Sequence, residues 1–120
     1  MDVIKFLKAV QNYDGESPEM KKFIEENSLK DNFSDNGMDD FTWFVKYDDK
    51  NFDGIPLGVV YEHGGVEGAG EEYYVVFSHG DDLIRVDGYY NSWEGGELDG
   101  DIYKVEKVPV EAFDYRRISS

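Results

Sequence analysis

Apolar side chains near the start of the chain recur at the spacing of one helix face. The positions are Val3, Phe6, Leu7 and Val10, which stand at i, i+3, i+4 and i+7. Lysines occupy the positions between them, as expected where the opposite face meets water. The pattern predicts a first helix over residues 2–12.

A second helical segment begins after the helix-breaking pair Asp14-Gly15. Ser17 followed by Pro18 and Glu19 is typical of a helix start, because Ser caps free amides and Pro fits the first turn. We predict a second helix over residues 18–29, with Met20, Phe23 and Ile24 in the core.

From Phe41 onward the apolar pattern changes from the helical repeat to a period of two. The alternation over residues 41–47 predicts a strand. Four further strands are predicted, over residues 58–62, 72–77, 83–87 and 102–106. Turn residues separate them, at Asp53-Gly54, Gly80-Asp81-Asp82 and Gly95-Gly96. Connections this short favour antiparallel pairing. The expected fold is therefore α+β: two N-terminal helices packed on an antiparallel sheet of about five strands, in a two-layer sandwich.

Length and composition are those of one folded domain over residues 1–120, with a helical part at 1–30 and an antiparallel sheet at 41–110. The chain has 120 residues, and 40% of them are hydrophobic. That apolar content is too high for a disordered acidic tail.

The net charge of −15 is unevenly distributed along the chain. Residues 31–101 contain eighteen acids and three bases, which gives −15 for that segment alone. Residues 1–30 and 102–120 are close to neutral. The excess therefore belongs to the predicted sheet.

Charge of this sign excludes several classes of partner. It repels nucleic acid and anionic membranes and attracts basic protein surfaces. The chain has no cysteine and no long apolar segment, and its first ten residues lack a secretory pattern. We expect a cytoplasmic protein that binds neither nucleic acid nor membrane directly.

Residues 49–54 match the first half of a calcium loop. Asp49, Asn51 and Asp53 supply oxygens at alternate positions before Gly54, but the twelfth position is Val60 instead of Glu. A turn between strands is the favoured interpretation, and weak calcium binding stays open.

The two histidines, His63 and His79, each stand beside a glycine at the end of a predicted strand. Paired strands could bring them together as metal ligands with Glu62 or Asp81. Surface turn positions are the favoured interpretation, because no spacing typical of a metal site is present.

Adjacent carboxylates could serve as a catalytic acid and base. The pairs are Asp39-Asp40, Asp48-Asp49, Glu71-Glu72 and Asp81-Asp82. In a chain with 27 acids such pairs arise without catalytic purpose, and no nucleophile or phosphate-binding motif accompanies them. We expect a protein that is not an enzyme and needs no cofactor.

The segment 88–95 concentrates aromatic side chains among small and polar residues. Tyr89, Tyr90 and Trp93 are of the types enriched at binding hot spots. Two interpretations stay open: the loop contacts a partner, or Tyr89 and Trp93 cover the edge of the core.

Residues 60–110 resemble small acidic proteins of unknown function that tailed bacteriophages encode. The resemblance is carried by Gly65-x-Glu67-Gly68-x-Gly70-Glu71-Glu72-Tyr73-Tyr74-x-Val76-Phe77, by Ile84-Arg85-Val86-Asp87-Gly88-Tyr89-Tyr90-x-Ser92-Trp93-x-Gly95 and by Tyr103-x-Val105-Glu106-x-Val108. It implies a context in which small acidic proteins inhibit host defence and host nucleic-acid enzymes, and a location in the host cytoplasm.

Charge and context together favour a nucleic-acid mimic that occupies the basic groove of a host defence or DNA-processing protein, of the anti-restriction or anti-CRISPR type. Two alternatives stay open: an acidic surface that serves solubility alone, and an adaptor or structural protein, as a monomer or a homodimer, that binds through the aromatic loop 88–95. The candidate partner-binding residues are Asp48, Asp49, Asp53, Glu62, Glu71, Glu72, Asp81, Asp82, Asp87, Tyr89, Tyr90, Trp93 and Glu94.

Overall fold

The structure is a computed structural model that describes residues 2–29, 37–64, 70–91, 93, 95–108 and 114–117. It contains three helices, α1 (Val3–Gln11), α2 (Pro18–Glu26) and α3 (Gly37–Tyr47). The strands are β1 (Lys50–Phe52), β2 (Ile55–His63), β3 (Glu72–His79), β4 (Asp82–Asn91), β5 (Gly95–Glu97), β6 (Ile102–Val108) and β7 (Asp114–Arg117).

All strand pairs are antiparallel, in the order β1-β2-β3-β4-β6-β7. Strand β4 is long enough for two partners on the same edge. Its first half pairs with β6 and its second half with β5. The α+β fold with an antiparallel sheet is confirmed, and the described sheet has seven strands where about five were predicted.

The two predicted helices begin at the expected capping residues. The carboxylate of Asp2 accepts a hydrogen bond from the amide of Ile4 (2.8 Å), and the hydroxyl of Ser17 accepts one from the amide of Met20 (3.0 Å). Helix α2 ends at Glu26, three residues before the predicted end, because Asn27 caps it and Ser28 has a positive φ of 53°.

The predicted strand over residues 41–47 is wrong, since these residues belong to α3. Its buried residues, Met38, Phe41, Thr42 and Val45, stand at the helical spacing i, i+3, i+4 and i+7. Trp43 and Tyr47, which a strand would have placed beside Phe41, are exposed. Residues 41–47 contain so many large apolar side chains that they fit the period of a helix as well as that of a strand. The helical pattern starts at Met38, which lies before the segment from which the strand was predicted.

Helices and sheet meet in one apolar core. Phe6 of α1 stands at its centre, with ring centroids 4.7 Å from Phe23, 5.5 Å from Phe41 and 4.7 Å from Phe52. The sheet contributes mainly alternate residues of its central strands, among them Val75, Phe77, Ile84 and Val86. The three helices therefore cover one face of the sheet, as a two-layer arrangement requires.

The opposite face of the sheet carries a smaller cluster of Tyr74, Val76 and Val105. The guanidinium carbon of Arg85 lies 3.6 Å from the centroid of the Tyr74 ring. Arg85 also pairs with Asp87, two residues along β4 on the same face. This face is therefore partly apolar and partly charged, and the Arg85 guanidinium lies against the Tyr74 ring of the cluster.

The predicted turn at Asp53-Gly54 is confirmed. Both residues have positive φ, 53° and 76°, which is the geometry of a two-residue hairpin turn between β1 and β2. The predicted turn at Gly95-Gly96 is wrong, because both glycines are in β5.

Candidate interaction surface

The strand register divides the candidate acids between two ends of the sheet. Glu72 pairs with Tyr89, and Tyr89 pairs with Glu97, in one row. His79 pairs with Asp82 at the far end of the same two strands. His79 stands seven positions after Glu72 on β3, so the two ends are about 23 Å apart. The expected single carboxylate face is thus two separate groups.

The group at the His79 end is partly neutralised by lysines. Asp53 lies 3.5 Å from the amine of Lys22, and Asp82 lies 3.7 Å from that of Lys104. Asp81 is exposed in the turn beside Asp82. Asp48 and Asp49 are also exposed, directly after α3. Exposed ion pairs of this kind reduce the local negative potential while adding little stability.

Three other candidate acids are engaged with bases of the same chain. Glu62 on β2 contacts Lys46 of α3. Asp87 contacts Arg85, and Glu72 lies 3.9 Å from the same guanidinium. These three carboxylates are therefore paired with cationic side chains of the protein itself.

A different set of carboxylates forms a cleft between α3 and β5. Asp39 stands in the first turn of α3, Glu97 in β5 and Asp99 just beyond β5. The three residues line a depression of about 250 Å³, here called the acidic cleft. A second depression of about 200 Å³ adjoins it and shares Glu97 and Asp99.

The chain after β5 is held in place by contacts that its backbone makes with α1 and β4. The side-chain amide of Gln11 donates to the carbonyls of Leu98 (2.9 Å) and Gly100 (2.8 Å), which ties this segment to the end of α1. At Gly88 of β4 a Cβ atom would stand 2.2 Å from the carbonyl oxygen of Glu97. Only glycine permits so close an approach, and the approach fixes where Glu97 lies.

Asp39 is the most desolvated of the cleft carboxylates. Burial is the main cause that raises its pKa above the usual value, and the negative charges of Glu97, Asp40 and Asp99 raise it further. The hydroxyl of Tyr73 donates a hydrogen bond to Asp39 (2.8 Å), which acts in the opposite direction because it favours the ionised form. Burial and the same bond raise the pKa of Tyr73, so its hydroxyl stays protonated as the donor.

No lysine or arginine balances this group among the residues that the structure describes. Asp39, Asp40, Glu97 and Asp99 have no ion pair there, and no base lines the cleft. On the adjoining side, the carboxylate of Glu71 raises the pKa of the Tyr89 hydroxyl. Uncompensated negative potential is therefore concentrated at this end of the sheet.

The segment 88–95, predicted as an aromatic loop, is mostly strand, because residues 88–91 belong to β4 and Gly95 begins β5 next to the acidic cleft. Trp93 is 95% exposed, so it does not cover the core, and that interpretation of the residue is wrong. Tyr89 is also exposed, whereas Tyr90 is partly buried. Glu94 lies outside the described residues. Trp93 and Tyr89 are thus available as contact residues.

The structure separates the two histidines. His63 pairs with Tyr74 and His79 pairs with Leu57, at opposite ends of the β2 and β3 pair. His79 is buried, contrary to the expected surface position, and its Nε2 atom lies 2.7 Å from the carbonyl oxygen of Phe52. A shared metal site for the two histidines is excluded by this geometry.

The partial calcium motif at residues 49–54 is occupied by β1 and its tight turn. Both turn amides donate to the carboxylate of Glu26, at 2.8 Å from Asp53 and 2.6 Å from Gly54. Within the described ranges, no three His, Cys, Asp or Glu side chains are grouped as a metal would require.

Glu97 and Asp99 were missing from the residues predicted from sequence, and Asp39 appeared there only as one of several acid pairs. The cleft joins α3 with β5, so it could be found from sequence only by placing both elements correctly. The signal was the single pattern Glu97-Leu98-Asp99, in which one buried apolar residue separates two exposed acids.

None of the helices in the described part of the chain has the length and apolar character to span a membrane. Searches with protein-family models, among curated proteins and among solved structures found no match to this chain.

Proposed function

We propose that this protein binds, through the acidic cleft, a basic surface with which a partner protein holds nucleic acid. The observation that carries the proposal is the uncompensated group of Asp39, Glu97 and Asp99 around one depression. Carboxylates that crowd together without a counterion cost folding free energy, and a partner's lysines and arginines would recover that cost on binding.

A nucleic-acid-binding surface fits this chemistry better than an arbitrary basic patch. Duplex DNA presents about one negative charge per 1.7 Å of axis, and proteins that bind it carry closely spaced Lys and Arg side chains. The resemblance of residues 60–110 to small acidic phage proteins supports a partner among host defence or DNA-processing proteins. The protein then acts as an inhibitor that mimics nucleic acid.

The test is a pull-down from a bacterial lysate at low salt, with the whole chain as bait and duplex DNA as eluent. The captured protein is then titrated against the bait at salt concentrations from about 0.05 to 0.5 M. We expect DNA to compete with the bait and the affinity to fall steeply with salt. Affinity that is independent of salt contradicts mimicry.

Two variants of equal net charge locate the site. The cleft variant carries Asp39→Asn, Glu97→Gln and Asp99→Asn, and the control variant carries Asp48→Asn, Asp49→Asn and Asp81→Asn. Each has three fewer negative charges. We expect the cleft variant to lose most of its affinity and the control variant to keep it. Equal losses would mean that total charge, and not the cleft, carries binding.

The exposure of Trp93 supports a second candidate, an adaptor that binds through the aromatic loop. The same captured partner distinguishes the two. Binding that Trp93→Ala removes, and that DNA and salt do not affect, favours the adaptor.

A further inference from the structure

The outer face of α3 exposes two large aromatic side chains that touch each other. Trp43 and Tyr47 are 64% and 62% exposed, and their ring centroids are 4.7 Å apart. They stand four residues apart on the helix, opposite the buried Phe41 and Val45. We call Trp43, Lys46 and Tyr47 the α3 aromatic patch.

The amine of Lys46 already lies near both rings. The amine of Lys46 lies 5.9 Å from the ring centroid of Trp43 and 5.6 Å from that of Tyr47, within the range of a cation–π interaction. The same amine contacts Glu62 on β2, so its charge is balanced. The patch thus combines two rings that attract cations with a lysine whose charge is balanced by Glu62.

The patch continues into the acidic cleft along the helix. Asp39 and Asp40 stand four and three residues before Trp43, which places them one turn away on neighbouring positions. Neither carboxylate has an ion pair in the described ranges of the chain. Exposed aromatic faces therefore adjoin unbalanced carboxylates.

We infer that the α3 aromatic patch binds arginine side chains of the partner that the acidic cleft attracts, an inference that rests on the proposed function. A guanidinium is planar, stacks on aromatic faces and pairs with carboxylates through parallel hydrogen bonds. One arginine can stack on Trp43 while it bonds to Asp40. Lysine, a strongly hydrated point charge, gains less from such a site.

The charge of the chain argues against other occupants of the patch. A second copy would bring together two chains of net charge −15, and nucleic acid would meet the same repulsion. A basic protein segment is the occupant that the surrounding field favours.

The probes are nona-arginine and nona-lysine peptides, measured at about 0.15 M salt, where long-range attraction is partly screened. The chain has two tryptophans, so Trp93→Phe leaves Trp43 as the only one. In that variant we expect nona-arginine to change the Trp43 fluorescence saturably, and nona-lysine to bind more weakly.

Calorimetry with nona-arginine then measures the contribution of the rings. We expect Trp43→Ala with Tyr47→Ala to weaken binding about tenfold, since two exposed cation–π contacts are lost. Trp43→Phe with Tyr47→Phe keeps the rings and should restore most of the affinity. Val60→Ala removes an exposed apolar side chain outside both the patch and the acidic cleft, and it serves as the control.

The outcomes separate this inference from the proposed function. If the alanine variant binds nona-arginine as the wild type does while the cleft variant fails in the pull-down, the inference is wrong and the proposed function stands. Equal binding of the two peptides, or no binding of nona-arginine to the wild type, also overturns it. So does a concentration-dependent dimer in sedimentation that the alanine variant abolishes.

Discussion

Asp39 is the residue on which the electrostatics of the acidic cleft converge. Burial and three neighbouring carboxylates oppose its ionisation, whereas the hydroxyl of Tyr73 favours it. A carboxyl whose pKa is raised by folding holds its proton to higher pH in the folded state than in the unfolded one. Folding stability therefore falls as pH rises from the ordinary value of 3.8 through the raised pKa.

Replacing Asp39 should remove this dependence. Asp39→Asn keeps an oxygen that can accept the Tyr73 hydrogen bond but carries no charge, so we expect it to be more stable than the wild type at neutral pH. The advantage should vanish below about pH 3.8, where Asp39 is protonated in both the folded and the unfolded protein. Urea unfolding of both proteins across this range measures the difference.

Tyr73→Phe provides the opposing control. It removes the hydrogen bond that stabilises the ionised form, so the pKa of Asp39 should rise further, as followed by NMR titration of the carboxyl carbon. An advantage of Asp39→Asn that is constant with pH would refute the electrostatic explanation, because a packing effect does not titrate.

At the scale of elements, helix α3 decides which aromatic side chains stabilise the fold. Phe41 is fully buried against Phe6, Phe23 and Phe77. Trp43 is exposed, although a strand would place it on the same face as Phe41. The two residues therefore distinguish helix from strand by stability alone.

We expect Phe41→Ala to cost about 3 to 5 kcal/mol of unfolding free energy, because it leaves a cavity among packed rings. Trp43→Ala should change the unfolding free energy by less than about 0.5 kcal/mol, as is usual for exposed positions. Chemical denaturation of both variants measures the costs. Comparable losses at the two positions would favour the strand interpretation over the helix.

The elements predicted correctly from sequence are those with a clear apolar period. Helix α1 has one apolar face and a capping Asp2, and β3 and β4 alternate between two packed faces. The strands that were missed, β1, β5 and β7, have three or four residues each. So few residues cannot establish a period, and only the neighbouring strand specifies them.

The sequence predicted the chemical type of the candidate site but not the residues that form it. The excess of acid in residues 31–101 indicated a carboxylate surface, but individual acids could not be assigned to it. Glu62 and Asp87 are neutralised by Lys46 and Arg85, which stand on helix α3 and within strand β4. Which carboxylates lack a counterion depends on tertiary contacts, and these are not written in local patterns.

At the scale of the whole molecule, the charge of −15 opposes compaction. Screening acts over about 30 Å at 0.01 M salt and about 10 Å at 0.1 M. The radius of gyration is 14.2 Å. At the lower salt concentration charges therefore repel each other across the whole molecule, whereas at the higher one repulsion reaches only over part of it. Stability should therefore increase with salt over this interval.

We expect the melting temperature to rise by several degrees between about 0.01 and 0.1 M sodium chloride, since a gain of 1 kcal/mol corresponds to roughly 4 °C in a domain of this size. If repulsion is concentrated in the acidic cleft, the variant with Asp39→Asn, Glu97→Gln and Asp99→Asn should melt higher at low salt and gain less from added salt. The control variant with Asp48→Asn, Asp49→Asn and Asp81→Asn removes the same charge from positions outside the cleft and should keep most of the salt effect. Identical curves for the two variants would make the repulsion a property of total charge, and the cleft would then carry no special electrostatic cost for a partner to relieve.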